Sequence, residues 1–338
     1  MTSVDMLLPV LVGLLPVGCF LAALLYLDSY KLVKLRAVVA IVACGAAVAA
    51  ASYFVNDRAL DVLRIDLPHY SRYAAPVIEE LLKGLVIVIL MRAHRIGFLV
   101  DAAIFGFATG TGFALIENLY FLELVPDAGI GTWIVRGFGT AIMHGGATAV
   151  FAVMGLALLE QAPDARARAL LPGLILAVVL HSAFNHLLFS PRVATLAILF
   201  AVPMLLYAVF QRSDRAVGEW LGRGFDADTE MLELINSGRL SDSHIGHYLH
   251  TMKDKFRGPV VADLLCYLRL YTELALRAKG ILMMRENGFE VPVDDATKAK
   301  FTELRYLEKS IGKTGLLAIR PMCHMSHKDL WQLYMLEK

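Results

Sequence analysis

The sequence is poor in cysteine, and its four cysteines, Cys19, Cys44, Cys266 and Cys323, stand at no paired spacing. The first two lie in apolar stretches and the last two in a more polar C-terminal part, so we expect no disulfide framework. The formal net charge is only +1. A balance so close to neutral gives no indication of nucleic-acid binding.

The N-terminus lacks the features of a cleavable leader. The first five residues, Met1-Thr2-Ser3-Val4-Asp5, include no basic residue, and no small-x-small cleavage site follows the first apolar run. A secretory signal needs both features. We therefore expect the first apolar run to be retained as a membrane helix.

Charged residues are scarce up to about residue 210 and frequent after it, in a chain that is 57% hydrophobic. The contrast predicts an all-α protein, in which a polytopic transmembrane helix bundle (1–210) precedes a small helical cytosolic C-terminal domain (211–338). Apolar runs of roughly 18–25 residues mark membrane spans. They predict about seven spans, near 6–27, 37–55, 75–91, 99–122, 133–159, 169–189 and 193–210.

The orientation of the bundle follows from the basic residues in its short loops. Arginine and lysine follow the first, third, fifth and seventh predicted spans, whereas the loop 123–132 has no basic residue. The loop 56–74 is an exception, with three arginines, but three aspartates accompany them. We expect the N-terminus outside and the C-terminal domain in the cytosol.

Capping residues divide the C-terminal part into helices. A short helix is predicted from Asp228 to Gly238. The expected first residues or caps of the following helices are Ser243, Pro259, Asp294 or Asp295, and Ser326, with Gly312 ending the helix that Asp294 or Asp295 begins. No catalytic pattern is present here, and regulation or docking of a partner is the expected role.

The third predicted span carries three ionisable residues, Glu79, Glu80 and Lys83. At about 100° per residue, Lys83 projects between the two glutamates, so all three occupy one polar wedge on an apolar helix. Such a wedge must face protein or a water-filled cavity. A structural ion pair is the simpler alternative, but Lys83 can neutralise only one carboxylate. The other must be protonated, solvated or paired elsewhere.

The fourth predicted span places small residues and a glutamate on one face. Gly106, Gly110, Phe113 and Glu117 fall within about 40° of one another on the helical wheel. Small residues four apart let a neighbouring helix approach closely. We expect that approach to bring Glu117 into the contact.

Spans five and six supply imidazole and amide groups. His144 lies near the middle of span five among small residues, while His181 and Asn185 lie four residues apart on one face of span six. His186 points about 140° away from His181 and is expected outside the cluster. Each residue alone could be a satisfied core residue. Because four spans bring polar groups to similar depths, a shared site is the better explanation.

Four motifs follow one another on successive spans: Glu79-Glu80-x-x-Lys83, Phe113-x-x-x-Glu117, His144 and His181-x-x-x-Asn185. This order, over residues 70–190, resembles the PrsW family, within the superfamily of CAAX prenyl endopeptidases and bacteriocin-immunity-type membrane proteases. The resemblance implies an intramembrane endopeptidase of the bacterial inner membrane that cleaves membrane-anchored regulators such as anti-sigma factors. The prenyl-endopeptidase branch has Glu-Glu-x-x-x-Arg and Phe-x-x-x-His instead, so CAAX processing is not favoured.

The resemblance assigns functional positions residue by residue. They are Glu79, Glu80, Glu117, His144, His181 and Asn185, with Lys83 as a supporting residue. Amide hydrolysis inside a membrane needs water, a base and donors for the oxyanion. Our hypothesis makes Glu79 or Glu80 the base, His181 and Asn185 the donors, and His144 a neighbour that handles the proton. Glu117 orients one histidine.

Other catalytic chemistries find less support in the sequence. No Ser/His/Asp or Cys/His arrangement suggests itself, and no His-Glu-x-x-His is present. The hypothesis therefore needs no cofactor, with a zinc ion held by histidines and glutamates left open. The expected partners are a membrane-anchored protein substrate and the lipid bilayer, without nucleic acid.

Two other classes of function remain open at this point. A proton- or ion-coupled transporter would also use intramembrane glutamates and histidines. Such transporters often consist of two related halves, and we find no internal repeat. A non-catalytic membrane sensor, whose C-terminal domain carries the output, is the third possibility.

Overall fold

The computed structural model describes residues 3–161, 166–186, 188–289 and 291–323, together with 328, 331–333 and 336. Within these ranges the chain is helical and contains no strand, which confirms the predicted all-α fold. The chain divides into two compact units. One consists of Met1–Asp28 with Val33–Asp214, and the other of Ser29–Leu32 with Arg215–Lys338.

The helices of the first unit are α1 (Ser3–Leu27), α2 (Leu35–Leu63), α3 (Leu67–His69), α4 (Ala75–Arg92), α5 (Leu99–Leu124), α6 (Ile130–Ile134), α7 (Ala141–Gln161), α8 (Arg166–Asn185) and the first part of α9 (Pro191–Asn236). Two π-helical segments interrupt this order. The segment π1 (Tyr70–Ala74) leads directly into α4, and π2 (Val135–Thr140) leads directly into α7.

In the described part of the chain, six helical segments are long and apolar enough to cross a membrane. They are Leu7–Leu27, Leu35–Leu63, Leu99–Leu124, Ile130–Gln161, Arg168–Asn185 and Pro191–Asn236. The sequence predicted a seventh, at 75–91. The residues there do form α4, but four of its 18 residues are charged. The predicted span that is not among these six segments is thus α4, the helix that carries the wedge of Glu79, Glu80 and Lys83.

The helix α9 differs from the prediction in its length. The sequence suggested a span ending near residue 210 and a separate helix opening at Asp228, whereas one helix of 46 residues runs from Pro191 to Asn236. The intervening stretch contains Gly218, Gly222 and Gly224 but no proline. A glycine weakens a helix by about 1 kcal/mol without ending it. The helix therefore continues.

The core of the first unit forms around α5, which packs against α2 and α7. Two glycines of α5 show how close the neighbours are. A Cβ added to Gly110 would lie 2.3 Å from the main-chain oxygen of His144, and one added to Gly112 would lie 1.9 Å from that of Val42. The predicted close approach at the small-residue face of α5 is thereby confirmed.

The second unit contains the end of α9, a 3₁₀ turn (Arg239–Asp242), α10 (His244–Met252), α11 (Gly258–Glu286) and α12 (Asp295–Ile319). The predicted caps are confirmed: Ser243 accepts a hydrogen bond from Gly246 N at 3.1 Å, and Asp294 from Thr297 N at 2.7 Å. Pro259 lies in the first turn of α11, as expected.

The end of α12 was predicted wrongly. Gly312, the expected last residue, takes a left-handed conformation (φ 65°, ψ 178°), and the helix resumes after it up to Ile319. Glycine tolerates a positive φ without strain, so the residue produces a kink here instead of a terminus. Ser326, the expected cap of a further helix, lies outside the described residues.

Candidate active site

A buried ion pair connects α4 with α7 and α8. The Lys83 ammonium contacts the Glu80 carboxylate, and the exposed fractions of the two side chains are 0% and 1%. Lys83 Nζ also lies 3.0 Å from His144 Nδ1, and Glu80 Oε1 lies 2.9 Å from His181 Nδ1. The predicted wedge therefore faces protein, and its two innermost members each meet a histidine from another helix.

A second ion pair extends the cluster to α5 and π2. Glu117 Oε2 lies 2.8 Å from His144 Nε2, and Glu117 Oε1 lies 3.2 Å from the Arg136 guanidinium. The rings of His144 and His181 meet edge to face with centroids 4.7 Å apart. Phe113 lies against this pair, 5.0 Å from the His144 ring and 4.5 Å from the Lys83 ammonium. His144 is thus held between charged partners and the Phe113 ring, and His181 packs against the His144 ring.

Glu79 occupies a more open position at the edge of the cluster. Its side chain is 14% exposed, and its Oε2 atom lies 3.8 Å from His181 Nε2. The other oxygen accepts a hydrogen bond from Asn56 Nδ2 at 3.2 Å, while the Tyr70 hydroxyl donates to Asn56 Oδ1 at 2.8 Å. Because an ionised carboxylate only accepts hydrogen bonds, the NH₂ end of the Asn56 amide faces Glu79, and its carbonyl end is left to accept from Tyr70.

Asn185 takes a different place from the other predicted site residues. Its amide donates to the main-chain oxygen of Ser71 in π1 at 2.9 Å. Its partner is therefore the main chain of π1 and not one of the two histidines. His186, which was expected outside the cluster, donates from Nδ1 to Ser182 O at 2.7 Å and packs against Tyr73. The structure therefore brings together five of the six predicted residues, and Lys83 with them.

Sequence reasoning missed several residues that hold this cluster. Asn56 and Tyr70 lie in a stretch that was assigned to a loop, and Asn118 gave no signal of its own. Asn118 donates to Gly13 O at 2.7 Å and accepts from Arg136 Nε at 2.8 Å. Arg136 did carry a signal, because it is a charged residue inside the predicted span 133–159. Ionisable residues at such positions are functional candidates.

Each of the two segments π1 and π2 precedes a helix that carries site residues. In a π-helix the main chain bonds from residue i to i+5, which inserts one extra residue per turn and rotates everything that follows. Such segments are frequent at functional sites. Here π1 ends five residues before Glu79, and π2 ends four residues before His144. Both segments also supply a side chain to the cluster, Tyr70 and Arg136.

A family model described as "PrsW family intramembrane metalloprotease" matches residues 34–210. The match covers just over half of the 338 residues and includes α4, α5, α7 and α8. The chain belongs to the PrsW family. No curated protein and no solved structure matches the chain significantly.

The resemblance that the four motifs carried is thereby confirmed, and the protein is an integral membrane peptidase of the PrsW family. The matched region, residues 34–210, lies wholly within the first of the two compact units.

The description of the PrsW family as metalloproteases raises the question of which side chains could hold a metal ion. Glu79, His144 and His181 each offer one ligand atom, and these atoms lie within 4.8 Å of one another. A carboxylate and two imidazoles are ligands that suit zinc. Glu117 contacts a ring nitrogen of His144, as carboxylates behind metal-bound histidines do. The donor set therefore fits a divalent ion in ligand type, and binding through His144 Nδ1 would require the Lys83 ammonium, now 3.0 Å from that nitrogen, to move away.

Proposed function

We propose that this PrsW family protein hydrolyses a peptide bond of membrane-anchored proteins at the cluster of Glu79, Glu80, Glu117, His144 and His181. The observation that supports the proposal is the direct contact of ionisable groups from α4, α5, α7 and α8, of which Glu80, Lys83, His144 and His181 are buried. Burying such groups in a membrane protein is costly unless they are paired and used. The substrate class, regulators such as anti-sigma factors, is carried over from the family resemblance.

Within this proposal the two neighbouring glutamates have different roles. Glu80 is fully buried and engaged by Lys83 and His181, so it fixes the orientation of His181. Glu79 is more exposed, and one of its oxygens faces His181. We therefore assign Glu79 as the group that takes the proton from the attacking water, a role typically worth a factor of about 10²–10⁴ in rate.

The histidines act on the carbonyl side of the reaction. An imidazole N–H of His181 or His144 stabilises the oxyanion, and Glu117 fixes the ring of His144 from behind. If a divalent ion is held by Glu79, His144 and His181, it supplies Lewis-acid chemistry toward the substrate carbonyl and acidifies water. In that case the chain's own residues bind the substrate and orient its peptide bond.

The proposal includes the arrangement in the cell. Residues 1–210 form the protease domain in the bacterial inner membrane with the N-terminus outside, and residues 211–338 form a cytosolic docking or regulatory domain. Limited proteolysis of sealed inverted and right-side-out vesicles tests this topology. Cleavage after residue 236 in inverted vesicles only is expected, and cleavage there in right-side-out vesicles only would reverse the orientation.

The test of function uses the purified full-length protein in vesicles with a panel of single-span membrane proteins tagged at both ends. Wild type is expected to release a tagged fragment, whereas Glu79→Gln, Glu80→Gln and His181→Ala should release none while still inserted. The control is Glu123→Gln, because Glu123 is an exposed glutamate of α5. Proton flux without fragments would favour a transporter, and full activity of the three variants would reject the assigned roles.

The same assay distinguishes the two forms of chemistry. Cleavage that stops after treatment with a strong zinc chelator and returns when zinc alone is added supports a metal at Glu79, His144 and His181. Cleavage that continues in protein shown by elemental analysis to hold no metal supports the glutamate-only form.

A further inference from the structure

The junction between π1 and α4 contains a proline, and this has a consequence for the main chain. Pro76 lies in the first turn of α4, two residues after the end of π1. Proline has no N–H. Residue 76 therefore cannot bond the carbonyl of Arg72, its partner in an α-helix, or that of Ser71, its partner in a π-helix. Residue 76, three residues before Glu79, is therefore a main-chain donor to neither carbonyl.

Side chains of α8 donate to both of these carbonyls. The Ser182 hydroxyl donates to Arg72 O at 2.6 Å, and the Asn185 amide donates to Ser71 O at 2.9 Å. His181, next to Ser182 in the chain, contacts Glu80 Oε1 at 2.9 Å. One helix thus holds the main chain before the glutamates and the side chain of Glu80 at the same time.

We propose that Ser182 and Asn185 are positioning residues that hold the π1–α4 junction and thereby set the orientation of Glu79 and Glu80. The inference rests on the function proposed above. It gives Asn185 a role that differs from the oxyanion donor of our sequence-based hypothesis, because its amide donates to the main-chain carbonyl of Ser71.

The geometry explains why this junction matters for Glu79. Changing the π-helical segment into a regular α-helix removes one residue from the turn and rotates α4 by about 100° relative to the preceding chain. Tyr70 lies before the junction and Glu79 after it, yet Asn56 touches both side chains. A rotation would break that chain of hydrogen bonds. Misplacing a catalytic group by about 1 Å already costs a factor of about 100 in rate.

The first measurement is hydrogen exchange of the amides of residues 70–80 in vesicles, followed by mass spectrometry. It does not depend on any substrate. Ser182→Ala and Asn185→Ala should each raise the exchange rate about tenfold, roughly the factor that one hydrogen bond contributes. Ser182→Thr keeps a hydroxyl and should exchange like wild type. Unchanged exchange in both alanine variants would overturn the inference.

The control removes a buried hydroxyl whose acceptor carbonyl also has a main-chain donor. Thr111 donates to Phe107 O at 2.8 Å within α5, and in a regular helix that carbonyl also accepts the N–H of residue 111. Thr111→Val is nearly isosteric and should leave exchange at residues 70–80 and cleavage unchanged.

The second measurement is cleavage of the doubly tagged single-span substrate. Ser182→Ala should lower kcat about tenfold with KM unchanged, and Ser182→Thr should restore it. Asn185→Ala should lose a similar factor, whereas the loss of an oxyanion donor typically costs about 10²–10³. A Ser182→Thr variant as inactive as Ser182→Ala would show that the hydroxyl is not what matters, and so would overturn the inference.

A compensating change tests the stated cause. Pro76→Ala restores an N–H that can bond Arg72 O, so Pro76→Ala/Ser182→Ala should exchange more slowly at residues 70–80 than Ser182→Ala. Equal exchange in the two variants would remove the proline from the explanation. If exchange responds as expected but wild type cleaves no substrate, the proposed function fails and the positioning role in the fold stands. If wild type cleaves and Ser182→Ala has its full kcat, the inference fails and the function stands.

Discussion

Removing one partner of the buried Lys83–Glu80 pair should destabilise the membrane unit severely. Lys83→Met leaves the carboxylate of Glu80 without its cation in a position where the side chain is 1% exposed. Two unit charges about 4 Å apart attract by ~4 kcal/mol at an effective dielectric constant near 20. Measured losses on breaking buried pairs are about 3–5 kcal/mol. We expect a loss of that size in the free energy of unfolding.

The double variant Lys83→Met/Glu80→Gln separates charge from packing. It removes both charges and keeps side chains of similar volume, and replacing a whole buried pair by neutral groups is often nearly neutral. The double variant should therefore be at least ~2 kcal/mol more stable than Lys83→Met. The assay is unfolding of the purified protein by sodium dodecyl sulfate in mixed micelles, followed by far-ultraviolet circular dichroism.

The control for this series is Glu123→Gln, which neutralises an exposed glutamate and should change the unfolding free energy little. Two outcomes would refute the reasoning. Lys83→Met could lie within about 1 kcal/mol of wild type, in which case the pair is solvated and the contact has little energetic weight. Alternatively, the double variant could be no more stable than Lys83→Met, in which case packing of the lysine stem, and not charge, dominates.

Two further predictions concern a glycine of the bundle and a thiol of the C-terminal unit. Gly110→Ala places a Cβ 2.3 Å from the main-chain oxygen of His144 and should lower the free energy of unfolding by about 1–3 kcal/mol in the same assay. The control is Gly18→Ala, because no atom lies within 4 Å of a Cβ added there. Equal stabilities of the two variants would contradict the prediction. Burial raises the pKa of the Cys323 thiol to about 12, so the reactive thiolate is scarce at pH 8. Iodoacetamide should therefore modify exposed Cys266 first, and equal rates by mass spectrometry would refute the burial of Cys323.

The sequence was informative wherever local spacing decides which groups share a face. Glycines at 106 and 110 predicted a close helix contact, and Glu117, on the same face, does meet His144 from α7. Ionisable residues in apolar runs were equally informative, because the membrane leaves few acceptable places for them. Helix caps such as Ser243 depend on only a few neighbouring residues, which explains why they were found.

The parts that escaped prediction depend on contacts distant in sequence or on small changes of helical register. Asn56 is ordinary in its own segment and gains its role only because α2 lies beside π1 and α4. A π-helical turn adds a single residue, which leaves the pattern of apolar residues almost unchanged. Pro76 gave no warning either, because proline is common in the first turn of any helix.

The formal charges of the cluster bear on what the site can accommodate. Three carboxylates face two permanently basic groups and two imidazoles: Glu79, Glu80, Glu117, Lys83, Arg136, His144 and His181. With neutral imidazoles this leaves one negative charge in excess, in surroundings where an unbalanced charge is expensive. Glu80 is matched by Lys83 and Glu117 by Arg136, so the excess lies at Glu79. That is also the carboxylate of the group that could hold a metal ion, and the one reached by the Asn56–Tyr70 chain. The position where positive charge is missing therefore coincides with the position where a divalent cation, or a proton taken from water, would be received.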